Sequence, residues 1–388
     1  MAEKIRMAML GCGGMSGAHI GGLRTLWNKD IKIFDIVATC DIVEERAAQR
    51  AKEAEQIQGK APNIYTSVEE MLEKESDLDA VNICSLHRAH HTLAVPCLDA
   101  GKNVIIEKPL AITTRTGRMI LDAAEKSGKV LAVAENYRRS LSHRAVNWAI
   151  RQGMIGKLRL FLWQDVGESL GRWGWRDFKD QAGGGWVLDG GVHFTDLFRY
   201  HLGTEAQEVF ALSKAYMPYR FQKADTMEGR VDVTIEDTTF AVIKFDGDIT
   251  VQWTTCRAAP GRGFGGHVIH GSEGSIDLSG NVTRRKEDQN VNSQQLQTSF
   301  LLSIDGDEKE KLFPRGITDT VAIELKDFAD AILTGSKPEV DGVEGFKDQA
   351  ICMAVFESSA LNRPVAMSDI ENCKIEEYQK EINDDLGI

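Results

Sequence analysis

Short apolar runs alternate with helical patterns along the first third of the chain. Residues 5–10 form an apolar run of strand length, and His19, Ile20, Leu23 and Leu26 then recur at helical spacing. The alternation repeats up to residue 135. The predicted strands cover residues 5–10, 34–40, 78–85, 103–106 and 130–135. Strands that alternate with helices in this way predict an α/β fold with a parallel, doubly wound sheet.

The second part of the chain carries a different pattern. Residues 158–164 predict a strand, and four later segments predict antiparallel strands, with an Asp-Gly turn at residues 246–247 that is typical of a hairpin. These four segments are residues 231–233, 239–245, 249–255 and 267–271. One broad exposed face of such a sheet would suit a dimer interface. Residues 324–334 and 347–360 predict amphipathic helices.

Composition and charge narrow the class of partner. The 388 residues suffice for two domains with hydrophobic cores. The formal net charge of -12 disfavours nucleic acid and anionic membrane surfaces as main partners. Seven cysteines are scattered without a CxxC pair, which is typical of a reducing compartment. With neither a signal-peptide pattern nor an apolar run approaching ~18 residues, we expect a cytoplasmic protein.

The turn after the first predicted strand carries the glycine pattern of a dinucleotide site. Gly11, Gly13 and Gly14 lie between a strand and a helix, which is the context that G-x-G-x-x-G requires. Gly11 permits a tight turn, and Gly13 lets the backbone approach a pyrophosphate near the free N–H groups of the helix N-terminus. The sixth position is Ser16, a small residue in place of glycine.

An acidic residue at the end of the second predicted strand adds a second feature. Asp41 is placed to accept hydrogen bonds from an adenosine ribose. Its charge would repel a 2′-phosphate, which favours NAD over NADP. The alternative is that Asp41 caps the helix that follows, and the two roles are compatible.

Two polar groups follow later strands, at the edge where open α/β sheets bind their ligands. Residues 87–91 read HRAHH, but no acid or cysteine nearby in sequence completes a set of metal ligands, so no metal is predicted. Lys108 follows Glu107 at a strand end. A lysine partly desolvated in a ligand crevice suits acid/base chemistry, whereas the alternative is an ordinary solvated charge.

Residues 183–196, GGGWVLDGGVHFTD, combine glycines with polar residues at helical spacing. Asp189, His193 and Asp196 are four and three residues apart, which places them on one face of a helix. The apolar residues between them indicate a helix buried on several sides, and aspartate is rarely buried without a partner. The stretch therefore predicts a polar pocket. The alternative is a core histidine with acids that cap neighbouring turns.

Taken in order, these motifs resemble the glucose–fructose oxidoreductase / inositol dehydrogenase (Gfo/Idh/MocA) family. The resemblance is carried by GCGGMS at 11–16, Asp41, AGKNVIIEKPLA at 100–111, ENYRR at 135–139, GGGWVLDGGVHFTDLFRYHLG at 183–203, IEDTTFAVIKF at 235–245, GSEGSIDL at 271–278 and SALNRPV at 359–365. It implies an N-terminal Rossmann domain at 1–138. It also implies a C-terminal α/β domain for substrate binding and oligomerisation at 139–388, with a large, mostly antiparallel sheet.

The resemblance also implies roles for individual residues. Lys108 matches a lysine that contacts both the nicotinamide region and the substrate hydroxyl. Asp189 matches an acid that binds substrate, and His193 matches the histidine usually assigned to proton transfer, a role that we expect Lys108 to share. The predicted cofactor-binding residues are Gly11, Gly13, Gly14, Met15, Asp41, Ser85, His87, His90, Glu107, Lys108 and Arg138. Ser85-Leu86-His87 departs from the Thr-Pro-Asn-like sequence frequent in the family, so we expect the nicotinamide edge to be lined differently here and do not carry over the substrate preference of relatives.

An aromatic loop precedes the Asp189 stretch. The indoles of Trp173 and Trp175 suit the C–H faces of a sugar ring, and Arg176 can bind hydroxyls or a carboxylate. The alternative is plain packing at a domain interface. The predicted substrate-binding residues are Lys108, Trp173, Trp175, Arg176, Asp189 and His193.

These features together predict an NAD-dependent oxidoreductase that oxidises a ring hydroxyl of a sugar or glycoside, at ring carbon 3 by analogy, or reduces the keto form. Three alternatives stay open: an inositol dehydrogenase, redox-neutral glycoside cleavage through a transient keto sugar, and a non-catalytic sugar- or cofactor-binding protein. The expected partners are a small carbohydrate and further copies of the chain, as a homodimer or homotetramer, with neither nucleic acid nor membrane.

Overall fold

The computed structural model describes residues 4–388, which form two compact units. The first unit holds the chain up to Ile112 together with Thr116–Ser140 and Gly306–Phe346, and the second holds Thr113–Arg115, Leu141–Asp305 and Lys347–Ile388. The predicted division after residue 138 lies close to the change of unit at Ser140. The return of residues 306–346 to the first unit was not predicted from the sequence.

The first unit is built on a six-stranded sheet whose strands are all parallel, which confirms the predicted doubly wound sheet. Its order is β3-β2-β1-β4-β5-β6, so the direction of winding reverses between β1 and β4. Both central strands are almost entirely buried, as expected of a parallel sheet covered on both faces. The strands are β1 (Ile5–Leu10), β2 (Phe34–Cys40), β3 (Asn63–Tyr65), β4 (Ala80–Ile83), β5 (Asn103–Glu107) and β6 (Leu131–Ala134).

Helices connect these strands and begin just beyond their carboxyl ends. The helices of this part are α1 (Gly14–Asn28), α2 (Glu44–Gln58), α3 (Val68–Lys74), α4 (His90–Asp99) and α5 (Thr114–Ser127). Because α1 and α4 follow the neighbouring strands β1 and β4, their N-termini lie at the edge of the sheet where the winding reverses.

The second unit contains an eight-stranded sheet of order β15-β14-β13-β7-β12-β11-β8-β16. Every pairing is antiparallel except β7 with β12, so the predicted mostly antiparallel sheet is confirmed. A separate hairpin joins β9 to β10. The strands are β7 (Leu158–Val166), β8 (Ala206–Lys214), β9 (Tyr219–Lys223), β10 (Glu228–Asp232), β11 (Thr238–Phe245), β12 (Ile249–Cys256), β13 (Phe264–Gly271), β14 (Gly274–Asp277), β15 (Val282–Arg284) and β16 (Val365–Ala366).

The remaining helices run from the middle of the chain to its end. They are α6 (Leu141–Arg151), α7 (Lys179–Ala182), α8 (Trp186–Asp189), α9 (Gly191–Leu202), α10 (Ser293–Ser303), α11 (Gly306–Leu312), α12 (Thr320–Thr334), α13 (Gly342–Leu361), α14 (Met367–Glu371) and α15 (Lys380–Leu386). Among residues 4–388, no helix combines the length and the apolar character that crossing a membrane requires.

Each unit has a core that fixes one helix important for the site. In the first unit, α12 packs on α1, where a side chain at Gly22 would come within 3.1 Å of the Ala322 backbone nitrogen. In the second unit, α9 packs its aromatic side chains on one face of the large sheet. Phe194 stacks on Trp163 with ring centroids 4.1 Å apart, and Phe198 meets Phe161 edge to face. This packing holds His193 and its neighbours in place.

Candidate active site

The glycine turn between β1 and α1 is shaped for close approach by a ligand. Gly11 has a φ of 79°, and a Cβ there would come within 2.7 Å of the Cys84 carbonyl oxygen, so the fold requires glycine. A Cβ on Gly13 or Gly14 would meet no protein atom within 4 Å. Within the described part of the chain, no side chain caps the first turn of α1. The backbone N–H groups at this turn therefore suit a phosphate.

Ser16 occupies the sixth position of the glycine pattern and is completely buried. Its hydroxyl donates to the Gly13 carbonyl oxygen at 2.7 Å and accepts from Nε of Arg50 at 2.9 Å. Arg50, on α2, also donates from Nη2 to the Gly13 carbonyl at 2.9 Å. The guanidinium thus fixes the turn. Sequence reasoning missed Arg50 because it lies among the many charged residues of α2 without any motif.

Asp41 links the same turn to the start of α2. Its Oδ2 accepts from the Cys12 N–H at 2.7 Å, and its Oδ1 accepts from the Val43 N–H at 2.9 Å, directly before α2. Val43 is itself the N-cap residue of α2, so Asp41 closes the turn before the helix and does not cap its first turn, and the predicted capping role is wrong. Each carboxylate oxygen has a second acceptor site, so binding of a ribose hydroxyl stays compatible with this geometry and stays a prediction.

These residues fit a dinucleotide. The open space beside Gly13 and Gly14, the uncapped α1 and the fixed carboxylate of Asp41 match a pyrophosphate and an adenosine ribose. Met15 lies in the first turn of α1 with 36% of its surface exposed, next to the same opening.

His90 connects two loops predicted to face the cofactor. Its Nδ1 lies 2.9 Å from the Pro109 carbonyl oxygen, and its Nε2 lies 3.3 Å from that of Ser85. Burial lowers the pKa of His90 to about 4, with the neighbouring His87 acting in the same direction. The neutral ring has one N–H, and the shorter distance favours donation to Pro109. His90 thus bonds to the residue after Lys108, while its Nε2 only lies close to the Ser85 carbonyl oxygen, and cofactor contacts by Ser85, His87 and His90 stay predictions.

The histidines after β4 do not assemble a metal site. Across the residues that the structure describes, no three His, Cys, Asp or Glu side chains lie together in a way that could hold a metal ion. His87 and His90 meet edge to face, with ring centroids 5.9 Å apart.

Glu107 is held from inside the first unit rather than from its surface. The buried Oε1 lies 2.8 Å from Nε2 of His19, and the Asn82 amide nitrogen lies 2.9 Å from Nδ1 of that ring. Because the amide can only donate, His19 carries its proton on Nε2 and donates to Glu107. These two hydrogen bonds, from Asn82 to His19 and from His19 to Glu107, fix the end of β5 directly before Lys108. Lys108 itself is partly buried and precedes Pro109 through a cis peptide bond.

Arg138 is the last of the predicted cofactor residues in the first unit. It is 5% exposed, and its Nη2 lies 4.0 Å from Oε2 of Glu344. The neighbouring Arg139 pairs instead with Asp327 at 3.0 Å and with Glu339 at 3.3 Å. Contact of Arg138 with a cofactor stays a prediction.

Asp189 and His193 lie where two short helices meet in the second unit. The predicted single helix is divided into α8 and α9, with Gly190 between them still in helical conformation. A Cβ on Gly190 would come within 2.7 Å of the Trp186 indole, and one on Gly191 within 2.5 Å of the Trp253 indole. The two glycines therefore make room for indoles. His193 is 8% exposed and Asp196 is fully buried.

Three of the predicted substrate residues come together beside α8. Nε of Arg176 donates to Oδ1 of Asp189 at 2.8 Å, and the guanidinium lies 4.4 Å from the centre of the Trp175 ring. Trp173 packs elsewhere, against Trp186 with ring centroids 5.3 Å apart. The loop thus presents one indole beside an arginine–carboxylate pair and a second indole beside another pocket.

That second pocket was not predicted from the sequence. It is lined by Ser169, Trp173, Trp186, Arg220, Ile235, Glu236 and Arg257. The Glu236 carboxylate accepts from the N–H groups of Gly185 at 2.7 Å and Val187 at 3.1 Å, at the start of α8. Burial raises the pKa of Glu236 to about 7. Glu236 lies in the recognised IEDTTFAVIKF segment, but the two arginines lie on separate segments without a shared pattern.

Two family models match most of the chain. The model described as an oxidoreductase family, NAD-binding Rossmann fold, matches residues 5–135. The model described as the C-terminal alpha/beta domain of the same oxidoreductase family matches residues 148–367.

Individual relatives act on carbohydrates according to their names. The chain is 29% identical over 305 residues to 1,5-anhydro-D-fructose reductase of Ensifer adhaerens, covering 77% of this chain and 82% of the relative. It is 29% identical over 254 residues to D-glucoside 3-dehydrogenase of Escherichia coli, covering 63% and 68%. A solved structure of levoglucosan dehydrogenase in complex with NADH shares the fold, with a TM-score of 0.75, 24% identity and coverage of 94% and 99%.

Proposed function

The chain belongs to the Gfo/Idh/MocA oxidoreductase family, and we propose that it oxidises a ring hydroxyl of a sugar or glycoside with NAD, or reduces the corresponding ketone. The observation that carries this proposal is the Asp189–Arg176 pair beside the Trp175 ring, on the helical segment that leads to His193. A carboxylate, a guanidinium and an indole face are the groups that orient a polyhydroxylated ring.

Proton transfer falls to the side chains. NAD, when bound, takes the hydride from the sugar carbon. Lys108 or His193 accepts the proton of the hydroxyl on that carbon, and returns it when a ketone is reduced. Asp189, held by Arg176, orients the ring hydroxyls. The chain Asn82–His19–Glu107 supports Lys108 by fixing the strand end before it.

The substrate proposed is a pyranose, and a glucoside oxidised at ring carbon 3 is the first candidate. The indole of Trp175, beside Arg176 and Asp189, favours a ring with C–H faces over a small acyclic acid. The relatives named for 1,5-anhydro-D-fructose and for D-glucosides support this class. NAD is proposed over NADP because Asp41 places an anion where a 2′-phosphate would lie.

Steady-state kinetics with NAD and glucose, methyl glucoside or myo-inositol test the proposal, with the keto carbon located by NMR. We expect NADH to accumulate and methyl glucoside to give the 3-keto product. Trp173→Ala and Trp175→Ala should raise the KM for the glucoside far more than the KM for NAD. A preference for inositol, a keto group at another carbon or unchanged KM values would contradict the substrate assignment. Cleavage of the glycoside without net NADH would favour the redox-neutral reaction instead.

We also propose that the large sheet pairs with a second copy of the chain. Leu160, Phe210, Leu212, Phe240 and Val242 are each at least 41% exposed. Phe240 lies opposite Leu212 and Val242 lies opposite Phe210 in the strand register, so these side chains share the face opposite the core. An apolar face of this kind is typical of an interface. Phe240→Lys should shift a homodimer to monomer in analytical ultracentrifugation, and an unchanged mass would contradict this interface.

A further inference from the structure

We propose that the pocket beside Trp173 and Trp186 binds an acidic substituent of the substrate, a carboxylate or a phosphate. This inference rests on the proposed function, because it names a feature of the sugar that the same unit would recognise. The pocket is lined by arginine side chains and by an indole N–H group, and two of these hydrogen-bond donors have no acceptor among the described residues.

Two arginines line this pocket without an acidic partner. Among the residues that the structure describes, neither Arg220 nor Arg257 has a carboxylate within ion-pair distance. Nη1 of Arg220, which is 5% exposed, donates to the carbonyl oxygens of Met217 and Tyr219 at 2.8 Å each. The Arg257 guanidinium lies over the Trp186 ring, 4.1 Å from its centre. Both cations are thus partly desolvated without forming an ion pair, which favours binding of an anion.

Two buried donors at this pocket lack an acceptor. Nε of Arg257 and Nε1 of Trp186 are buried, and neither has a hydrogen-bond partner within residues 4–388. A buried N–H group without an acceptor is less stable than a satisfied one, because it has lost its hydrogen bonds to water. Carboxylate and phosphate oxygens are strong acceptors, and guanidinium groups bind both in a forked geometry. An acidic ligand would therefore satisfy groups that the protein alone leaves unsatisfied.

The acidic groups near the pocket are themselves occupied. Glu236 uses both oxygens on the Gly185 and Val187 N–H groups. Burial lowers the pKa of Arg257, while the charge of Asp165 favours the protonated form and acts in the opposite direction. This carboxylate accepts from the Trp163 indole N–H at 2.7 Å and lies 3.0 Å from Nε2 of His267. Neither carboxylate is thus a direct partner of an arginine here.

Calorimetric titration of the whole protein with three sugars tests the site. The sugars are methyl glucoside, methyl glucuronide and glucose 6-phosphate, which differ in carrying no acid, a carboxylate or a phosphate. We expect at least one acidic sugar to bind about tenfold more tightly than the neutral one, a difference typical of one charge-assisted contact. The acid that binds more tightly identifies the substituent. Equal affinity for all three sugars would overturn the proposal.

Variants then locate the effect. Arg257→Met should remove the acidic preference, and Arg257→Lys, which keeps the charge but not the fork, should retain part of it. Arg230→Met is the matched control, because Arg230 also lies over an aromatic ring, that of Tyr219, but is exposed and paired with Asp232. A preference that survives both Arg257 substitutions, or is lost equally in Arg230→Met, would overturn the proposal.

The titration also separates this inference from the proposed function. Parallel assays of NADH formation with the same sugars report turnover. An acidic preference in binding without any turnover would reject the dehydrogenase while supporting the site. Turnover of all three sugars with equal binding would support the dehydrogenase and reject the site. If Arg257→Met lowers the unfolding temperature strongly, wild type is compared with Arg257→Lys instead. A weaker preference for the acidic sugar in Arg257→Lys would then support the site, and an unchanged preference would overturn it.

Discussion

The glycine turn of the first unit and the pocket beside Trp173 and Trp186 in the second unit both contain a partly buried guanidinium beside the start of a helix. They differ in how the N–H groups of that guanidinium are satisfied. Arg50 uses Nε on Ser16, Nη2 on the Gly13 carbonyl and Nη1 on Glu53. Arg257 lies on an indole and leaves its buried Nε without an acceptor in the described chain.

This difference indicates two ways to prepare for a ligand. At the glycine turn, side chains bond to one another and to carbonyl oxygens, which leaves the backbone N–H groups of α1 for the ligand. At the pocket, the side chains themselves are the donors that the ligand would satisfy. The first arrangement should be sensitive to loss of a positioning residue, whereas the second should be sensitive to the charge of the ligand.

The largest effect should come from the two residues proposed to transfer the proton, because neither the glycine turn nor the pocket beside Trp173 and Trp186 supplies another group for that step. Lys108→Ala and His193→Ala should each lower kcat by about a hundred- to ten-thousand-fold, because each removes an acid/base group. NAD should still bind in both, as measured by calorimetry. Lys126→Ala is the control, because Lys126 is an exposed lysine on α5 that pairs with Asp99 at the end of α4. Near-normal kcat in either variant would remove that residue from the mechanism.

The two proton-transfer variants also test whether both groups serve one path. If Lys108 and His193 share the same proton, the double variant should lose less than the product of the single losses. Fully multiplicative losses would indicate that the two residues act in separate steps.

Asp41→Ala should reduce the preference for NAD over NADP by about tenfold. The substitution removes the repulsion between the Asp41 carboxylate and the 2′-phosphate of NADP, which we expect to be worth about 1.4 kcal/mol or more. The measurement is kcat/KM for both cofactors in wild type and variant. Efficient turnover of NADP by the wild type would contradict the preference at its origin. The carboxylate also accepts from Cys12 and Val43, so thermal unfolding should be followed in parallel.

Arg50→Met should weaken NAD binding by about three- to tenfold while leaving the KM for the sugar unchanged, since it releases Gly13 and Ser16 from hydrogen bonds worth about 1 kcal/mol each. Lys52→Met, on the exposed side of the same helix, is the control. Unchanged NAD affinity would show that the turn keeps its shape without Arg50. An equal rise in both constants would indicate general loss of structure.

A smaller effect should appear in the acid stability of the first unit. The pKa of His90 is lowered to about 4 by burial, so the fold favours its neutral form. Its contribution to the free energy of unfolding is present above the ordinary value of 6.5 and is lost as the pH falls toward 4. His90→Gln should flatten this decline in chemical unfolding measured across the window. An identical pH profile in the variant would contradict the assignment.

The contribution of Glu236, in the pocket beside Trp173 and Trp186, to the free energy of unfolding should change with pH in the opposite direction. The pKa of Glu236 is raised from 4.5 to about 7, mainly by burial. The protonated form is favoured, so its contribution to stability is present below 4.5 and is lost as the pH rises through 7. Relative to wild type, Glu236→Gln should gain stability across that rise. A constant difference between the two proteins would show that Glu236 does not titrate there.

The same comparison explains what could be predicted from the sequence. Five of the six strands of the first sheet, Gly11, Asp41 and the Asp189–His193 spacing are local patterns that periodicity and motif context could predict. The sixth strand, β3, has three residues of which two are exposed, so it carries no apolar run and was not predicted. Arg50 meets Gly13 across 37 positions of the chain, and Arg257, directly after β12, meets Trp186 of α8 in a distant part of the chain. Such pairs leave no periodic signal. The division of the predicted helix at Gly190 likewise depends on the distant indole of Trp253 beside Gly191.

A single-turnover reaction with methyl glucoside carrying deuterium at ring carbon 3, and equimolar NAD, tests the central claim most directly. Mass spectrometry and NMR would follow the label in both products. We predict that deuterium moves from the sugar to the cofactor, giving deuterated NADH and the unlabelled 3-keto glucoside in equal amounts. Deuterium that stays on carbon 3 with no reduced cofactor formed would contradict the proposed dehydrogenase.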